Sequence, residues 1–352
     1  MPWSVRAVPL PDGDRPADLW IDAEGCLATE PVPGAEPLPG RYVAPGLVDA
    51  HAHPAVGPGP AARDGAGTLG ELAAWAATGV GLVRDTGSPG GSVLSLAPGP
   101  GLPRLQAAGR FLAPAGRYFP ALLPEEVPQQ RLTELALAEL ARGARWVKVI
   151  ADFPPVTDGA PSGPPGPTYA TEAVEAMIAA VHAAGGRVAA HVTTDAVARL
   201  VRAGVDSVEH GTALDESTLR LMAQAGTAWT PTLCAVLAAP GTASDATRRR
   251  AAEYRERLGG LLPLAHRLGV PVLTGTDIAG TVAREVVLLA EHGLPPAAAL
   301  AAATTTGYRF LGEPFDQPGQ PATLVTYQHD PREDLAVLSS PSAVVIDGVR
   351  VR

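Results

Sequence analysis

Apolar and polar positions follow two rhythms through the middle of this 352-residue chain. Short apolar runs rich in β-branched residues alternate with longer stretches in which apolar residues recur every three or four positions, the spacing of one helix face. The clearest such stretch begins at Thr171 and carries Val174, Met177, Ile178 and Val181. The apolar runs predict eight strands, at residues 47–53, 79–87, 104–112, 144–152, 187–193, 205–211, 228–233 and 271–277. Eight strands alternating with helices predict an α/β fold, and favour a closed (β/α)8, TIM-like barrel over an open doubly wound sheet.

The two ends of the chain have a different texture, with short strands separated by turns. Asp347-Gly348 lies between two apolar runs, which is a hairpin signal. We therefore expect residues 1–44 and 315–352 to pair into a small β-sandwich domain and residues 45–314 to form the barrel. The Pro- and Gly-rich segment 152–168 is predicted to be a long loop after the fourth strand, on the face where barrels have their active sites.

Composition narrows the classes of partner. The net charge is −9, and the chain has no cluster of Lys and Arg without acidic neighbours, so we expect no nucleic-acid partner. No stretch of 18 or more apolar residues and no signal-peptide pattern occurs, so we expect a cytoplasmic protein with no membrane partner. Two distant cysteines argue against a disulfide framework or a Cys-based metal site. A homo-oligomer is compatible with the sequence.

Histidines cluster where predicted strands end. His51 and His53 end the first strand, His191 the fifth and His210 the sixth, and Asp277 has the same place on the eighth. In a barrel these strand ends converge at one spot. Buried imidazoles and a buried carboxylate lose hydration unless a partner replaces it, and a divalent cation is such a partner. The residue types suit Zn²⁺, and also Mn, Fe or Co, with one or two ions per chain.

Lys148 lies in the middle of the fourth predicted strand, ARWVKVIAD. A buried ammonium group is costly there, so the side chain either reaches the barrel mouth, pairs with an acid, or is a neutral amine. A neutral amine that has reacted with carbon dioxide becomes a carbamate, whose two oxygens could bridge two metal ions.

These motifs together resemble the amidohydrolase superfamily, metal-dependent hydrolases with a distorted (β/α)8 barrel. PGLVDAHAHP at 45–54 is similar to the family's first-strand signature, and Lys148 in WVKVIAD resembles the fourth-strand lysine that is carboxylated in two-metal members. VAAHVT, VEHGT and TGTD resemble the segments that carry ligands on strands five, six and eight. AAGRFLAPAG at 107–116 is similar to the branch of imidazolonepropionase and Xaa-Pro dipeptidase.

The resemblance implies a set of roles. His51, His53 and Asp277 would hold one metal ion, His191 and His210 the other, and carboxylated Lys148 would bridge them. A hydroxide shared by the metals would be the nucleophile, and Asp277 would carry its proton to the leaving nitrogen. Asp277 and His210 are the expected catalytic residues. The implied reaction is hydrolysis of an amide C–N bond in a small molecule: an N-acyl amino acid, a dipeptide or a cyclic amide.

Other functions stay open. The same site could hydrolyse a lactone or another ester, and a one-metal variant would leave Lys148 unmodified. A deaminase is less favoured because Thr194 occupies the position, three residues after His191, where deaminases of the superfamily commonly carry Glu. A catalytically silent binding protein is less favoured because all six ligand positions are present.

Three residues in loops after the third and fourth strands are candidates for substrate contacts: Arg110, Tyr118 and Tyr169. An arginine could clamp a substrate carboxylate, and a tyrosine could donate a hydrogen bond to a carbonyl oxygen. The alternative for each is a residue of the surface or of loop packing.

Overall fold

The computed structural model describes residues 1–58, 61–238 and 245–352, with residues 245–247 described by backbone alone, and has a mixed α/β fold. The strands are β1 (Trp3–Pro9), β2 (Ala17–Ile21), β3 (Leu27–Ala28), β4 (Glu36–Pro37), β5 (Tyr42–Pro45), β6 (Leu47–Ala52), β7 (Val56–Gly57), β8 (Ala61–Ala62), β9 (Val80–Asp85), β10 (Arg104–Ala107), β11 (Phe111–Leu112), β12 (Trp146–Ile150), β13 (Asp152–Phe153), β14 (Val156–Thr157), β15 (Ala160–Pro161), β16 (Gly166–Pro167), β17 (Arg187–Val192), β18 (Ser207–His210), β19 (Ala228–Thr230), β20 (Leu324–Tyr327), β21 (Ala343–Ile346) and β22 (Val349–Arg350). The α-helices are α1 (Gly65–Ala77), α2 (Leu132–Ala141), α3 (Thr171–Ala183), α4 (Val197–Arg202), α5 (Glu216–Ala225), α6 (Leu233–Val236), α7 (Asp245–Leu268), α8 (Val282–Glu291), α9 (Pro296–Ala302) and α10 (Thr305–Leu311). Short 3-10 helices span Pro89–Ser95, Pro120–Leu122, Gln129–Arg131 and Leu335–Ser339.

Strands from both ends of the chain share one sheet. Its order is β22-β21-β20-β5-β1-β2-β3, with β4 paired to β1, and the antiparallel pairing of β5 with β20 joins the N-terminal strands to the C-terminal ones. The hairpin predicted at Asp347-Gly348 is confirmed, because β21 and β22 pair antiparallel around it. Both turn residues have positive φ, 47° and 77°, as the favoured two-residue hairpin turns require.

The predicted strands of the middle form parallel sheets. β6, β9 and β10 pair in the order β10-β9-β6, and β11, β12, β17, β18 and β19 pair in that order in a second sheet. Six of the predicted runs each contain one of these strands. The third run, 104–112, is divided into β10 and β11 around Gly109, whose φ is +77°. A side chain at Gly109 would collide with the carboxylate of Glu139, so the chain bends where only glycine fits.

The eighth expected strand, 271–277, does not form a continuous strand. Its backbone has single parallel bridges at its two ends, from Val272 to Trp229 and from Asp277 to Ala52. Between these ends, the Ala50 N–H donates to the Thr274 carbonyl at 2.8 Å, and threonine hydroxyls add further hydrogen bonds. Thr274 Oγ1 donates to the Val48 carbonyl at 2.7 Å, and Thr276 Oγ1 donates to Asp49 Oδ2 at 2.6 Å.

Gly275 lies on this segment beside β6. A Cβ atom placed there would lie 2.6 Å from His51 Cβ, so the segment approaches β6 too closely for any larger residue. This close approach brings the end of the segment, with Asp277, against the end of β6.

Helices cover the parallel strands with their apolar faces. α3 confirms the helix predicted from Thr171, and its apolar residues Val174, Met177, Ile178 and Val181 are buried. The predicted loop 152–168 contains two small antiparallel pairs, β13 with β16 and β14 with β15. Among the helices that the structure describes, none combines the length and the apolar character needed to cross a membrane.

Candidate metal centre

His51 and His53 lie at the end of β6, and both are buried. Each uses its Nδ1 atom for a hydrogen bond, His51 to Glu209 Oε2 at 2.6 Å and His53 to the Gly87 carbonyl at 2.8 Å. A carbonyl oxygen accepts but never donates, so His53 carries its proton on Nδ1 and leaves the Nε2 lone pair free. The carboxylate of Glu209 favours the same tautomer in His51.

Asp277 completes a group with these two histidines. Its Oδ1 atom lies 3.3 Å from His53 Nε2 and 3.9 Å from His51 Nε2. One potential ligand atom from each of the three residues can be chosen such that all lie within 4.8 Å of one another, a spacing that can hold a metal ion. Burial raises the pKa of Asp277, but the close approach of His53, followed by that of His51 and His210, outweighs burial, so the pKa lies below its usual value. The carboxylate is therefore ionised and available as a ligand.

His191 and His210 lie opposite, on the neighbouring strands β17 and β18. Their ring centroids are 4.4 Å apart, and the ring of His210 lies 5.0 Å from that of His51. His210 Nδ1 lies 2.7 Å from Thr232 Oγ1, and that hydroxyl donates its own proton to the Pro231 carbonyl. Thr232 must therefore accept from His210, which leaves Nε2 of His210 unprotonated.

Three of the four histidines, His51, His191 and His210, are neutral at physiological pH. Burial, followed by the positive charge of Lys148, lowers the pKa of His51 well below its usual value and that of His191 to about 4. Burial, followed by the proximity of His191, lowers the pKa of His210 in the same way. Neutral imidazole is the form that binds a metal ion.

Three residues at this site have left-handed backbone conformations. The φ angles are 66° at His210, 50° at Thr232 and 57° at Asp277. Such conformations are unfavourable for residues other than glycine, and most of all for a β-branched residue such as threonine. The fold maintains them at the points where the chain turns away from the centre.

Lys148 projects from β12 into the same site. Its side chain is 1% exposed, and its Nζ atom has no hydrogen-bond partner among the described residues. Burial lowers the pKa of Lys148 to about 8, so the neutral amine is accessible near physiological pH. Lys148 is also the only lysine in the chain, which otherwise uses arginine for its 26 other basic residues. Arginine cannot supply a neutral amine, and this position therefore carries the one basic side chain that can.

Two buried charges behind the histidines were not predicted as site residues. Glu209, on β18, bonds His51 with one oxygen and accepts hydrogen bonds from Arg84 at 2.8 Å and Ser207 at 2.6 Å with the other. The guanidinium of Arg84 also lies 4.4 Å from the ring centroid of Trp146. The sequence contained a signal for this pair. Glu209 and Arg84 both lie within apolar runs, and a buried charge requires an opposite charge nearby.

A cavity of about 140 Å³ connects these groups. Its walls include all six predicted ligand residues: His51, His53, Lys148, His191, His210 and Asp277. The remaining wall is formed by Val56, Tyr118, Phe119, Leu122, Phe153 and Ile278.

The three expected substrate contacts have different positions. Tyr118 lines the cavity, packs its ring 6.4 Å from that of His191, and has no hydrogen-bond partner for its hydroxyl among the described residues. Arg110 is not part of the wall, and its guanidinium pairs with Glu139 and Glu125. Tyr169 is not part of the wall either, and its hydroxyl donates to the Val127 carbonyl at 2.9 Å.

The chain is similar to several known proteins in sequence and in fold. The model of the Amidohydrolase family matches residues 42–351. An uncharacterized protein from Mycobacterium tuberculosis (strain ATCC 25618 / H37Rv) is 37% identical over 362 residues, which cover 98% of this chain and 94% of that protein. A solved Xaa-Pro dipeptidase with methionine bound in its active site has a TM-score of 0.80 and 22% identity, with 99% of each chain covered. The ochratoxinase of A. niger has a TM-score of 0.80 and 20% identity, over 100% of this chain and 96% of that one.

Proposed function

The chain belongs to the Amidohydrolase family and is a hydrolase acting on carbon–nitrogen bonds, and we propose that it is a metal-dependent enzyme that cleaves an amide C–N bond of a small molecule. The observation that carries the proposal is the single cavity lined by four histidines, Asp277 and Lys148. Hydrolysis of an N-acyl amino acid, a dipeptide or a cyclic amide fits this chemistry, and the solved dipeptidase of similar fold supports the class. We further propose that the enzyme acts in the cytoplasm.

The residues present fit a metal centre. His51, His53 and Asp277 would hold one ion, because two Nε2 lone pairs and a carboxylate oxygen face one another. His191 and His210 would hold a second, and Lys148, whose buried Nζ has no partner of its own, would bridge the two as a carbamate. Zn²⁺ suits this set of ligands, and Mn, Fe or Co are the alternatives. In a one-metal variant, Lys148 would stay an amine.

A bound divalent ion would lower the pKa of a water molecule and polarise the carbonyl group of the substrate. Side chains of the protein would then transfer the proton of the water and stabilise the carbonyl oxygen of the substrate. Asp277, ionised and held against the histidines, would accept the proton of the attacking water and deliver it to the leaving nitrogen. The hydroxyl of Tyr118 would donate a hydrogen bond to the carbonyl oxygen of the substrate as negative charge develops there. His210 would bind a metal ion through Nε2 from the other side of the cavity, and its hydrogen bond to Thr232 would set the tautomer that this requires.

We also propose the finer architecture. The parallel strands from β6 to β19, followed by the segment 271–277 with its bridges to Trp229 and Ala52, support a ring of eight parallel elements, the (β/α)8 barrel. The sheet built from both chain ends supports the small β-domain of residues 1–44 and 315–352, for which we propose a sandwich.

Competing functions differ in what the cavity must do. Lactone or ester hydrolysis needs the same centre and differs in the leaving atom. Deamination is less favoured, because Thr194 donates its hydroxyl to Asp152 Oδ2 at 2.7 Å, where a deaminase would need a carboxylic acid. A silent binding protein has no reason to keep six intact ligand positions.

The first experiment measures the metal content of purified protein by elemental mass spectrometry, with metal supplied during expression. About two equivalents per chain support the bridged centre, and about one supports the one-metal variant. The same preparation is then tested on N-acyl amino acids, dipeptides, hydantoins and lactones. Metal-loaded protein that hydrolyses lactones but no amide would overturn the proposed C–N chemistry, and protein that binds no metal at ample Zn²⁺ would overturn the proposal altogether.

A further inference from the structure

The wall of the cavity beyond the six ligand residues is entirely apolar or aromatic: Val56, Tyr118, Phe119, Leu122, Phe153 and Ile278. Tyr118 packs against Phe153 and Phe119 with ring centroids 5.0 and 5.3 Å apart. The rings of Phe153 and His191 are 5.7 Å apart, so this aromatic surface begins directly beside the candidate ligands. A group attached to the reacting carbonyl or nitrogen would therefore contact rings and alkyl side chains.

No cation is available in this wall to bind a substrate carboxylate. Lys148 is the only basic residue that lines the cavity among the described residues other than histidine, and it lies among the ligands themselves. The segments outside the described ranges, 59–60 and 239–244, contain no Lys or Arg in their sequence.

Arginines near the wall are bound to other groups. Arg63 donates to the carbonyls of Pro54 and Val56 and pairs with Glu71 at 3.0 Å. Arg117 donates to the carbonyls of Phe153, Gly166 and Pro167. These guanidinium groups thus secure the backbone of the wall.

Arg110, the residue expected from the sequence to clamp a carboxylate, pairs with two glutamates, Glu139 and Glu125. A carboxylate held against this apolar wall, away from the six candidate ligand residues, would lose hydration without gaining an opposite charge.

Ile278 is exposed although it lines the cavity. Its relative exposure is 66%, and it follows Asp277 directly in the chain. Because Ile278 lines the cavity, an apolar substrate group that extends to the mouth of the cavity would contact it.

We propose that the enzyme selects amides whose substituents are uncharged and apolar, preferably aromatic, over amides that carry a free carboxylate. This inference rests on the proposed function and narrows its substrate class, since it places cyclic and aryl amides above N-acyl amino acids and dipeptides. The aromatic wall provides the binding surface, and the engaged arginines provide the discrimination against carboxylates.

The test compares matched substrates with metal-loaded protein: an N-acyl amino acid, the carboxamide of the same compound, and the corresponding aryl amide. We expect kcat/KM for the carboxamide to exceed that for the acid by about tenfold or more, with the aryl amide at least equal to the carboxamide. An equal or higher kcat/KM for the acid would overturn the inference and leave amide hydrolysis intact. Hydrolysis of none of the three would count against the proposed function instead.

Binding provides a readout that does not depend on turnover. Calorimetry should give a Kd for aniline at least tenfold lower than that for 4-aminobenzoate, which differs from it only by a carboxylate. Tighter binding of 4-aminobenzoate would overturn the inference even if no substrate were hydrolysed.

Ile278→Arg should shift the substrate preference towards amides that carry a carboxylate. It should raise the ratio of kcat/KM for the acid to kcat/KM for the carboxamide by about tenfold, because it adds a cation at the wall. Val349→Arg is the matched control, since Val349 is also an exposed apolar residue but lies on β22, and it should leave the ratio unchanged. An unchanged ratio in Ile278→Arg, or the same change in both variants, would contradict a substrate contact at this position.

Discussion

Glu209 Oε2 lies 2.6 Å from His51 Nδ1, and both side chains are buried. The other oxygen of the same carboxylate accepts hydrogen bonds from Arg84 and Ser207, and these bonds fix the orientation of the carboxylate toward His51. This arrangement sets the tautomer of His51 and increases the basicity of its Nε2 atom. Glu209 is therefore a positioning residue for the candidate metal centre.

Glu209→Gln should weaken metal binding by about 10- to 100-fold, because the neutral amide no longer polarises His51. The measurement is a competition between the protein and a chelator of known affinity. Glu285→Gln is the matched control, since Glu285 is also a fully buried carboxylate but bonds the backbone N–H groups of Leu233 and Cys234. Equal weakening in both variants would mean that the loss reflects general destabilisation.

Thr232 provides a second test of tautomer control. Its hydroxyl accepts a hydrogen bond from the Nδ1–H group of His210, so Thr232→Ala should weaken metal binding by about tenfold or more. Thr232→Ser keeps the hydroxyl and should retain most of the affinity. If the alanine and serine variants bind metal equally, the hydrogen bond has no role in the centre.

Lys148 is open to a direct chemical test because it is the only lysine. In ¹³C-bicarbonate, the metal-loaded protein should show one carbamate signal in its ¹³C NMR spectrum, and Lys148→Ala should lack it. We expect Lys148→Ala to lose about 100-fold or more in kcat, with partial recovery on addition of short-chain carboxylates that take the place of the bridge. Wild-type activity in Lys148→Ala would rule out a bridging role.

Tyr118→Phe tests the proposed contact with the carbonyl oxygen. The ring packing would be kept and only the hydroxyl lost, so kcat should fall by about 10²-fold with little change in KM. The control is Tyr169→Phe, which removes a hydroxyl that bonds the Val127 carbonyl outside the cavity wall. A fall confined to KM in Tyr118→Phe would indicate ground-state binding and argue against a role in the transition state.

The sequence predicted which histidines and which aspartate meet at the cavity, because strand ends are readable from short apolar runs, and four histidines and Asp277 stand at such ends. It did not predict that residues 271–277 bridge their neighbours only at isolated points, because the threonine hydroxyl bonds and the close approach at Gly275 depend on the fold. Ion pairs between residues far apart in the sequence could not be predicted from it either. Arg110 has the charge and loop position of a substrate clamp, and only the fold places Glu139 beside it.

Glu285 provides a pH-dependent test of stability away from the ligands. Burial, with a smaller effect from the charge of Asp49, raises the pKa of Glu285 to about 7 from its usual 4.5, despite the hydrogen bonds from Leu233 and Cys234. The folded protein therefore binds the proton more tightly than the unfolded chain. The associated stability is fully present below pH ~4.5 and is lost as the pH rises through ~7, a difference of about 3 kcal/mol. Glu285→Gln removes this dependence, so the difference in unfolding free energy between the variant and the wild type should move in favour of the variant by about that amount from pH 4.5 to 8. Urea unfolding at several pH values measures it, and a difference that stays constant over this range would mean that Glu285 is ionised in the folded protein throughout.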